Sequence, residues 1–163
     1  MAGKQRSALF VCLGNICRSP IAEACFIKAV KDRNVEHEWR IDSAAVIDYH
    51  VGKGPDKRTL TALQKHGITD YDHKVRQVTT EDLRTFDYIF GMDEENMCDL
   101  KSLVKMNDGK SSAKLLLLGS FDSEGELIIQ DPYYGVDSKD FDRIFNQCSR
   151  SCVGFLDSIY GKL

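Results

Sequence analysis

Residues 8–20 read ALFVCLGNICRSP, and this stretch indicates the fold. Ala8 to Cys12 is a continuous apolar run, which is typical of a strand buried on both faces of a parallel sheet. A helical pattern follows, for which Ser19 is a suitable N-cap and Pro20 a suitable first helical residue. The stretch therefore predicts a strand, a short loop and a helix.

The rest of the chain repeats this alternation of strands and helices. Further strands are predicted at residues 38–45, 86–92 and 115–118, and helices at 55–66, 93–106 (with Asp93 as N-cap) and 138–160. Such alternation forms right-handed βαβ units around a parallel sheet that helices cover on both faces. We therefore predict a single-domain α/β three-layer sandwich with a four-stranded parallel sheet and Rossmann-type winding.

Size and composition fit one ordinary domain spanning residues 1–163. The chain is 42% hydrophobic and shows no linker or internal repeat, so one full core is expected. The net charge of −3 argues against a broad nucleic-acid-binding face. The apolar run at 8–13 is too short for a membrane span or a signal peptide. We expect a cytoplasmic protein with no nucleic-acid partner and no membrane span.

The six cysteines are expected to be reduced thiols, because an intracellular chain of this size needs no disulfide framework. They show no Cys-x-x-Cys spacing and no neighbouring pair of histidines, so we predict no metal and no cofactor. Four of them are predicted to pack in the core from their helices: Cys25, Cys98, Cys148 and Cys152.

The loop after the first strand has the spacing Cys-x5-Arg-Ser, from Cys12 to Ser19. Its backbone N–H groups can form a nest for a tetrahedral oxyanion, with Gly14 and Asn15 permitting the tight turns. The planar guanidinium of Arg18 can bind two phosphate oxygens. Together with the helix dipole these groups stabilise negative charge on Cys12, whose thiolate can then attack a bound phosphate.

A leaving alkoxide or phenolate needs a proton, and Asp131 is the candidate general acid. It lies in IIQDPYYG, residues 128–135, where Pro132 restricts it to extended backbone conformations. Tyr133 and Tyr134 can form an apolar wall for an aromatic leaving group.

The residues alone leave other interpretations open. Cys12 can be a buried thiol without a catalytic role, and DPYYG can be an ordinary turn. A Walker-type nucleotide loop is disfavoured, since the second glycine and the Gly-Lys-Ser/Thr ending are absent. Thiol-dependent arsenate reduction needs two further cysteines where Cys98 stands alone. A phosphotyrosine-binding module without catalysis is expected to lack Cys12 or Asp131, and both are present.

Three motifs in this order, VCLGNICRSPIAEA (11–24), DSAAV (42–46) and DPYYG (131–135), closely resemble the low-molecular-weight protein tyrosine phosphatases. The similarity runs along essentially the whole chain. It implies a phosphotyrosine phosphatase I-like fold and metal-independent hydrolysis of phosphotyrosine and small aryl phosphates, with acid phosphatase activity and a cysteinyl-phosphate intermediate. The implied partners are phosphotyrosine proteins and an oxyanion in the loop, and the expected state is a monomer or weak dimer.

The resemblance also assigns roles to residues. Cys12 is the nucleophile, Arg18 the phosphate ligand, and Asp131 the general acid and then the base. The phosphate loop comprises Leu13, Gly14, Asn15, Ile16, Cys17 and Ser19. A supporting network comprises Asn15, Ser19, Ser43 and His73. The slot for the substrate is lined by Leu13, Ile16, Tyr49, Tyr133 and Tyr134.

Other implied details carry alternatives. Cys17 is expected to form a protective disulfide with Cys12 under peroxide. The segment 69–73 is one residue longer than the family pattern, so His66 is an alternative to His73 in the network. His37 and His50 show no partner in the sequence and are expected to be surface or loop residues. Asp93 is expected near the rim of the active site.

Overall fold

Four parallel strands form the centre of the molecule. They are β1 (Arg6–Cys12), β2 (Trp39–Ala45), β3 (Tyr88–Gly91) and β4 (Lys114–Leu117), in the spatial order β2-β1-β3-β4. The computed structural model describes residues 5–135 and 138–163. All four predicted strands are confirmed, each with bounds that differ from the prediction by one or two residues.

Helices cover both faces of this sheet. They are α1 (Arg18–Asp32), α2 (Lys57–Lys65), the short α3 (Asp82–Thr85), α4 (Glu94–Met106) and α5 (Ser138–Tyr160), with 3-10 turns at Glu36–Glu38 and Leu118–Phe121. Helices α1, α2 and α5 pack together on one face, while α4 contacts β3 and β4 on the other. The three-layer α/β sandwich is therefore confirmed.

The alternation of side chains along β1 divides the core into two parts. Phe10 packs in the cluster under α1 and α5, whereas Leu9 and Val11 pack in the cluster that contains Leu83 and Leu100 from α3 and α4. Successive side chains of a strand point to opposite faces, so a strand buried on both sides must be apolar throughout. This is why residues 8–12 form a continuous apolar run.

The start of α1 differs from the prediction. The N-cap position is Cys17, whose side chain makes no capping hydrogen bond, and the helix begins at Arg18. Ser19 therefore lies inside the first turn and Pro20 is the third helical residue. The expectation that Ser19 caps the helix is wrong, because its N–H and hydroxyl are both directed at Cys12 Sγ. By contrast, Asp93 caps α4 as predicted, accepting a hydrogen bond from Asn96 N.

The cysteines follow the prediction with one exception. Cys25, Cys148 and Cys152 are buried, and all six cysteines are free thiols. Cys98 is exposed, so its predicted core position is wrong: the buried residues of α4 are Asn96, Met97 and Leu100, on another face of the helix. In the described part of the chain, no helix is both long and apolar enough to span a bilayer.

Candidate active site

A cavity of about 320 Å³ opens beyond the carboxyl end of β1, where ligands bind in open α/β sheets. It brings together the three predicted catalytic residues and all five residues of the predicted slot. The lining residues are Cys12, Leu13, Gly14, Ile16, Cys17, Arg18, Ile47, Tyr49, His50, Asp131, Tyr133 and Tyr134.

Three hydrogen-bond donors converge on the sulfur of Cys12. The backbone N–H groups of Asn15 and Ser19 lie 3.3 and 3.4 Å from Sγ, and the Ser19 hydroxyl oxygen lies 3.0 Å from it. The Ser19 oxygen accepts a hydrogen bond from Asn15 Nδ2 at 2.7 Å, so its own proton is available to the sulfur. Hydrogen bonds to the charged form favour that form, so this arrangement stabilises a thiolate.

Asn15 holds the shape of the phosphate loop. Its backbone is left-handed, with φ 59°, and its side chain is fully buried. The amide nitrogen donates to Ser19 Oγ and to Ser43 Oγ at 3.0 Å, and the amide oxygen lies 2.7 Å from His73 Nε2. An amide oxygen can only accept, so Nε2 of His73 carries a proton.

His73 rather than His66 lies in this network. Its Nε2 contacts Asn15 and is also 3.2 Å from Ser43 Oγ. His66 instead stacks on Phe145 with ring centroids 3.9 Å apart and approaches Asp142. Tyr71, in the segment before His73, donates a hydrogen bond to Glu23 Oε1.

Glu23 completes the network and was missed by the sequence reasoning. Its Oε1 accepts hydrogen bonds from Ser43 Oγ at 2.6 Å and Tyr71 Oη at 2.7 Å, and it lies 3.6 Å from His73 Nδ1. Burial raises the pKa of Glu23 to about 7 and lowers the pKa of His73. One signal was present: Glu23 follows Ser19 by four residues and therefore shares its helix face.

Among the described residues, one group has the donors to suit a metal ion: Glu23, Asp42 and His73, with ligand atoms within 4.8 Å of one another. These donors already have partners. Glu23 accepts two hydroxyl hydrogen bonds, and Asp42 accepts from Ser43 N at 2.8 Å and from Arg76 Nε at 2.8 Å. We therefore assign this group to the support of the loop.

Arg18 is buried, and two hydrogen-bond acceptors fix its guanidinium group. Its Nη1 donates to Asp93 Oδ2 at 2.6 Å and to the carbonyl oxygen of Ile129 at 3.0 Å. Burial works to lower the pKa of Arg18, but Cys12 and Asp93 outweigh it and the pKa lies above its usual value. Asp93 thus caps α4 with one oxygen and fixes Arg18 with the other.

Asp131 lies beside Arg18 in the lining of the cavity. Its Oδ2 is 3.7 Å from Arg18 Nη2, and its Oδ1 accepts a hydrogen bond from Tyr133 N at 3.0 Å. The side chain is 36% exposed, so it is accessible to both a substrate oxygen and water. The apolar residues before it, 127–129, form no strand.

Comparisons with known proteins identify the family. Residues 7–162 match the family model described as low molecular weight phosphotyrosine protein phosphatase. The chain is 55% identical to the protein of that name from Gallus gallus over 157 residues, which is 96% of this chain and 97% of the relative. This chain belongs to the low molecular weight phosphotyrosine protein phosphatase family.

Solved structures agree with this assignment. The crystal structure of Primo-1 has a TM-score of 0.87 and 43% sequence identity, covering 93% of this chain and 97% of that one. The crystal structure of a Drosophila arginine phosphatase has a TM-score of 0.88 and 35% identity, covering 94% and 97%. The resemblance inferred from the three motifs is therefore confirmed.

Aromatic residues form the rim of this phosphatase cavity. Tyr133 is partly exposed and Tyr134 is 88% exposed, with their rings perpendicular and 5.0 Å apart. Tyr49 is largely exposed, and the ring of His50 packs against it at 4.7 Å. His50 lies in a loop, as predicted. It also lines the cavity and lies against Gly14, where a Cβ atom would come within 3.1 Å of His50 Cδ2.

Cys17 is the second sulfur in the cavity. Burial, followed by the nearby Asp56 carboxylate, raises the pKa of the Cys17 thiol to about 12. At neutral pH the Cys17 side chain is therefore a thiol.

Proposed function

We propose that this chain is a protein tyrosine phosphatase that hydrolyses phosphotyrosine and small aryl phosphates without a metal. The observation that carries the proposal is the set of three donors on Cys12 Sγ in a cavity that also contains Arg18 and Asp131. Membership of the phosphatase family supports the same reaction.

In the first step the Cys12 thiolate attacks the phosphorus atom of the bound ester. The bond between phosphorus and the aryl oxygen breaks, and the Asp131 carboxyl donates its proton to the departing oxygen. The products are a cysteinyl-phosphate and a neutral phenol. Arg18 and the backbone N–H groups of the phosphate loop stabilise the charge on the oxygens of the transferred group.

In the second step water attacks the phosphorus of the cysteinyl-phosphate. The Asp131 carboxylate accepts a proton from this water, the sulfur–phosphorus bond breaks, and inorganic phosphate is released. The Ser19 hydroxyl, 3.0 Å from Sγ, stabilises the departing thiolate. The free enzyme is restored with Asp131 protonated and Cys12 ionised.

The shape of the cavity supports selectivity for aryl phosphates. Leu13, Ile16 and Tyr133 give it apolar walls, and such walls bind a flat aromatic ring better than a short alkyl chain. A phenolate is also a much better leaving group than an alkoxide, so one carboxyl group suffices as the acid.

The first test is hydrolysis of p-nitrophenyl phosphate at pH 5–6 in excess EDTA. Cys12→Ser is expected to abolish turnover, and Asp131→Asn to lower kcat/KM by about 10²–10⁴-fold, which is the usual contribution of general acid catalysis. Cys98→Ser and Asp108→Asn, both at exposed positions, are the matched controls and keep wild-type rates. Turnover that survives in Cys12→Ser, or that EDTA removes from the wild type, contradicts the mechanism.

Substrate class is tested with peptides that differ only in the phosphorylated residue. Phosphotyrosine is expected to be hydrolysed far faster than phosphoserine. A phosphoarginine peptide belongs in the series, because one relative of known structure is an arginine phosphatase. Comparable kcat/KM values for phosphotyrosine and either alternative would contradict the proposed selectivity.

Further expectations belong to the same proposal. Cys17 forms a disulfide with Cys12 after oxidation and prevents irreversible oxidation of the nucleophile. A state of monomer or weak dimer and a cytoplasmic location stay predictions, which sedimentation and cell fractionation can check.

A further inference from the structure

Residues 130–135, which we name the acid loop, carry the proposed general acid. The chain is anchored just before this loop, where Ile129 N donates to the Met92 carbonyl at 3.0 Å and Arg18 donates to the Ile129 carbonyl. Among the backbone hydrogen bonds that the structure describes, the loop itself contains one, from Gly135 N to the Pro132 carbonyl at 2.9 Å. The second half of the loop therefore depends on side chains from elsewhere.

Arg58 on α2 provides this support. Its Nη2 donates to the Tyr133 carbonyl at 3.0 Å and its Nη1 to the Gly135 carbonyl at 3.1 Å. The two carbonyls lie on either side of the exposed Tyr134. The N–H of the same Tyr133 donates to Asp131 Oδ1 at 3.0 Å. The backbone of Tyr133 thus connects the Arg58 guanidinium to the Asp131 carboxyl group.

The guanidinium is itself held in a fixed orientation. Its Nε and Nη2 donate to the two carboxylate oxygens of Asp56, each at 3.0 Å, and its Cζ lies 4.9 Å from the centre of the Phe141 ring. The hydrogen bond to Asp56 raises the pKa of Arg58, so the side chain stays charged throughout the working range of the enzyme. A fork in this geometry presents its remaining N–H groups in defined directions.

The same turn of α2 also contacts the phosphate loop. Asp56 N donates to the Ile16 carbonyl at 3.0 Å, and Thr59 Oγ1 donates to the same oxygen at 2.8 Å. Contacts therefore run from Ile16 through Asp56 and Arg58 to Tyr133 and the acid loop. They connect the loop that binds phosphate with the loop that carries the acid.

We propose that Arg58 is the positioning residue for the general acid, fixing the distance between Asp131 and the phosphate loop. Arg58 is not among the residues that line the cavity, so it acts through Tyr133 and Gly135 and not on the substrate. The inference rests on the proposed function, in which Asp131 protonates the leaving oxygen.

The sharpest readout is the dependence of kcat/KM on the leaving group. Phenyl phosphate releases a strongly basic phenolate that needs the acid, whereas 2,4-dinitrophenyl phosphate releases a weakly basic one that does not. Misplacing a catalytic group by about 1 Å can cost about 10²-fold. Arg58→Met is therefore expected to lower kcat/KM by about 10–100-fold for phenyl phosphate and by less than about 3-fold for the dinitro ester.

A double-mutant cycle separates positioning from a general loss of structure. In an Asp131→Asn background the acid is already absent, so adding Arg58→Met should cost almost nothing with phenyl phosphate. Arg84→Met, which removes an exposed arginine that pairs with Glu81 on the surface, is the matched control and keeps wild-type kinetics. Thermal unfolding of each variant checks that the fold is intact.

Arg58→Lys is the second variant, in case Arg58→Met does not fold. Lysine keeps the charge but lacks the planar fork, so it should give the same dependence on the leaving group at an intermediate level. Equal losses with both esters, or a full loss from Arg58→Met in the Asp131→Asn background, would overturn the inference.

The outcomes also distinguish the inference from the proposed function. If Asp131→Asn itself shows no dependence on the leaving group, the assignment of Asp131 fails and the inference fails with it. If Asp131→Asn behaves as expected and the Arg58 variants match the Arg84 control, the function stands and only the inference fails.

Discussion

Glu23 makes the stability of the protein depend on pH in a direction that is unusual for a carboxyl group. Burial raises its pKa from 4.5 to about 7, so the folded protein holds a proton between these values that the unfolded chain releases. Stability falls with pH wherever the folded state binds more protons. The contribution of Glu23 is therefore fully present below about pH 4.5 and is lost as the pH rises through 7.

The size of the effect follows from the two pKa values. Each pH unit between them changes the free energy of unfolding by about 1.4 kcal/mol, so the full range from 4.5 to about 7 changes it by about 3 kcal/mol. Between pH 5 and pH 7.5 about 2 kcal/mol of this is lost. The lowered pKa of His73 acts in the opposite direction, since an unfolded chain then binds the extra proton at low pH.

Glu23→Gln isolates the contribution of the carboxyl group. Glutamine mimics the protonated acid, and its amide oxygen can still accept from Ser43 Oγ and Tyr71 Oη. Because His73 is present in both proteins, its effect largely cancels. In urea unfolding, wild type is expected to lose about 2 kcal/mol relative to Glu23→Gln between pH 5 and pH 7.5.

Glu36→Gln is the matched control, because Glu36 is exposed and its substitution should leave the pH dependence of wild type unchanged. The reasoning is refuted if the difference between wild type and Glu23→Gln stays constant from pH 5 to 7.5. It is equally refuted if wild type gains stability relative to the variant as the pH rises, because Glu23 would then be ionised and stabilised by its donors.

Two further predictions concern the phosphate loop. Asn15→Ala is expected to lower the free energy of unfolding in urea by about 3 kcal/mol and kcat/KM by at least about tenfold, because it adds backbone strain and removes hydrogen bonds. Asn34→Ala is the control: this residue has the same φ of 59° but lies on the surface, so its substitution should add only the backbone strain and keep full activity. After peroxide treatment, dithiothreitol should restore the activity of wild type and of Cys98→Ser but not that of Cys17→Ser, because Cys17→Ser cannot form the disulfide with Cys12. Full recovery of activity in Cys17→Ser would rule out the protective role.

The fold was predictable because its signals are local. A continuous apolar run of this length, as at residues 8–12, is typical of a central strand of a parallel sheet, which is buried on both faces. The loop after it contains Gly14 and Asn15, which permit tight turns, and a helical pattern follows. The spacing of Cys12 and Arg18 in that loop places a thiol and a guanidinium at one oxyanion site, and for this reason the motif could indicate the family.

Details that depend on side-chain direction were less predictable. Ser19 has the sequence signature of an N-cap, yet its hydroxyl is directed at Cys12 Sγ and the helix begins before it. Cys98 lies in an apolar helical pattern, but the buried face of α4 lies at neighbouring positions. His50 lines the cavity and lies against Gly14, a contact between two loops that are far apart in the sequence. Composition and periodicity contain none of this information.

The supports of the two catalytic loops differ in their chemistry, and this has a consequence for pH. The phosphate loop rests on a network that includes a titratable acid, Glu23, whereas the acid loop rests on Arg58 paired with Asp56. The hydrogen bond to Arg58 lowers the pKa of Asp56, so this pair stays ionised across the range in which Glu23 titrates. The destabilisation that develops between about pH 4.5 and pH 7 is therefore expected to fall on the support of the phosphate loop, while the support of the acid loop keeps its charges.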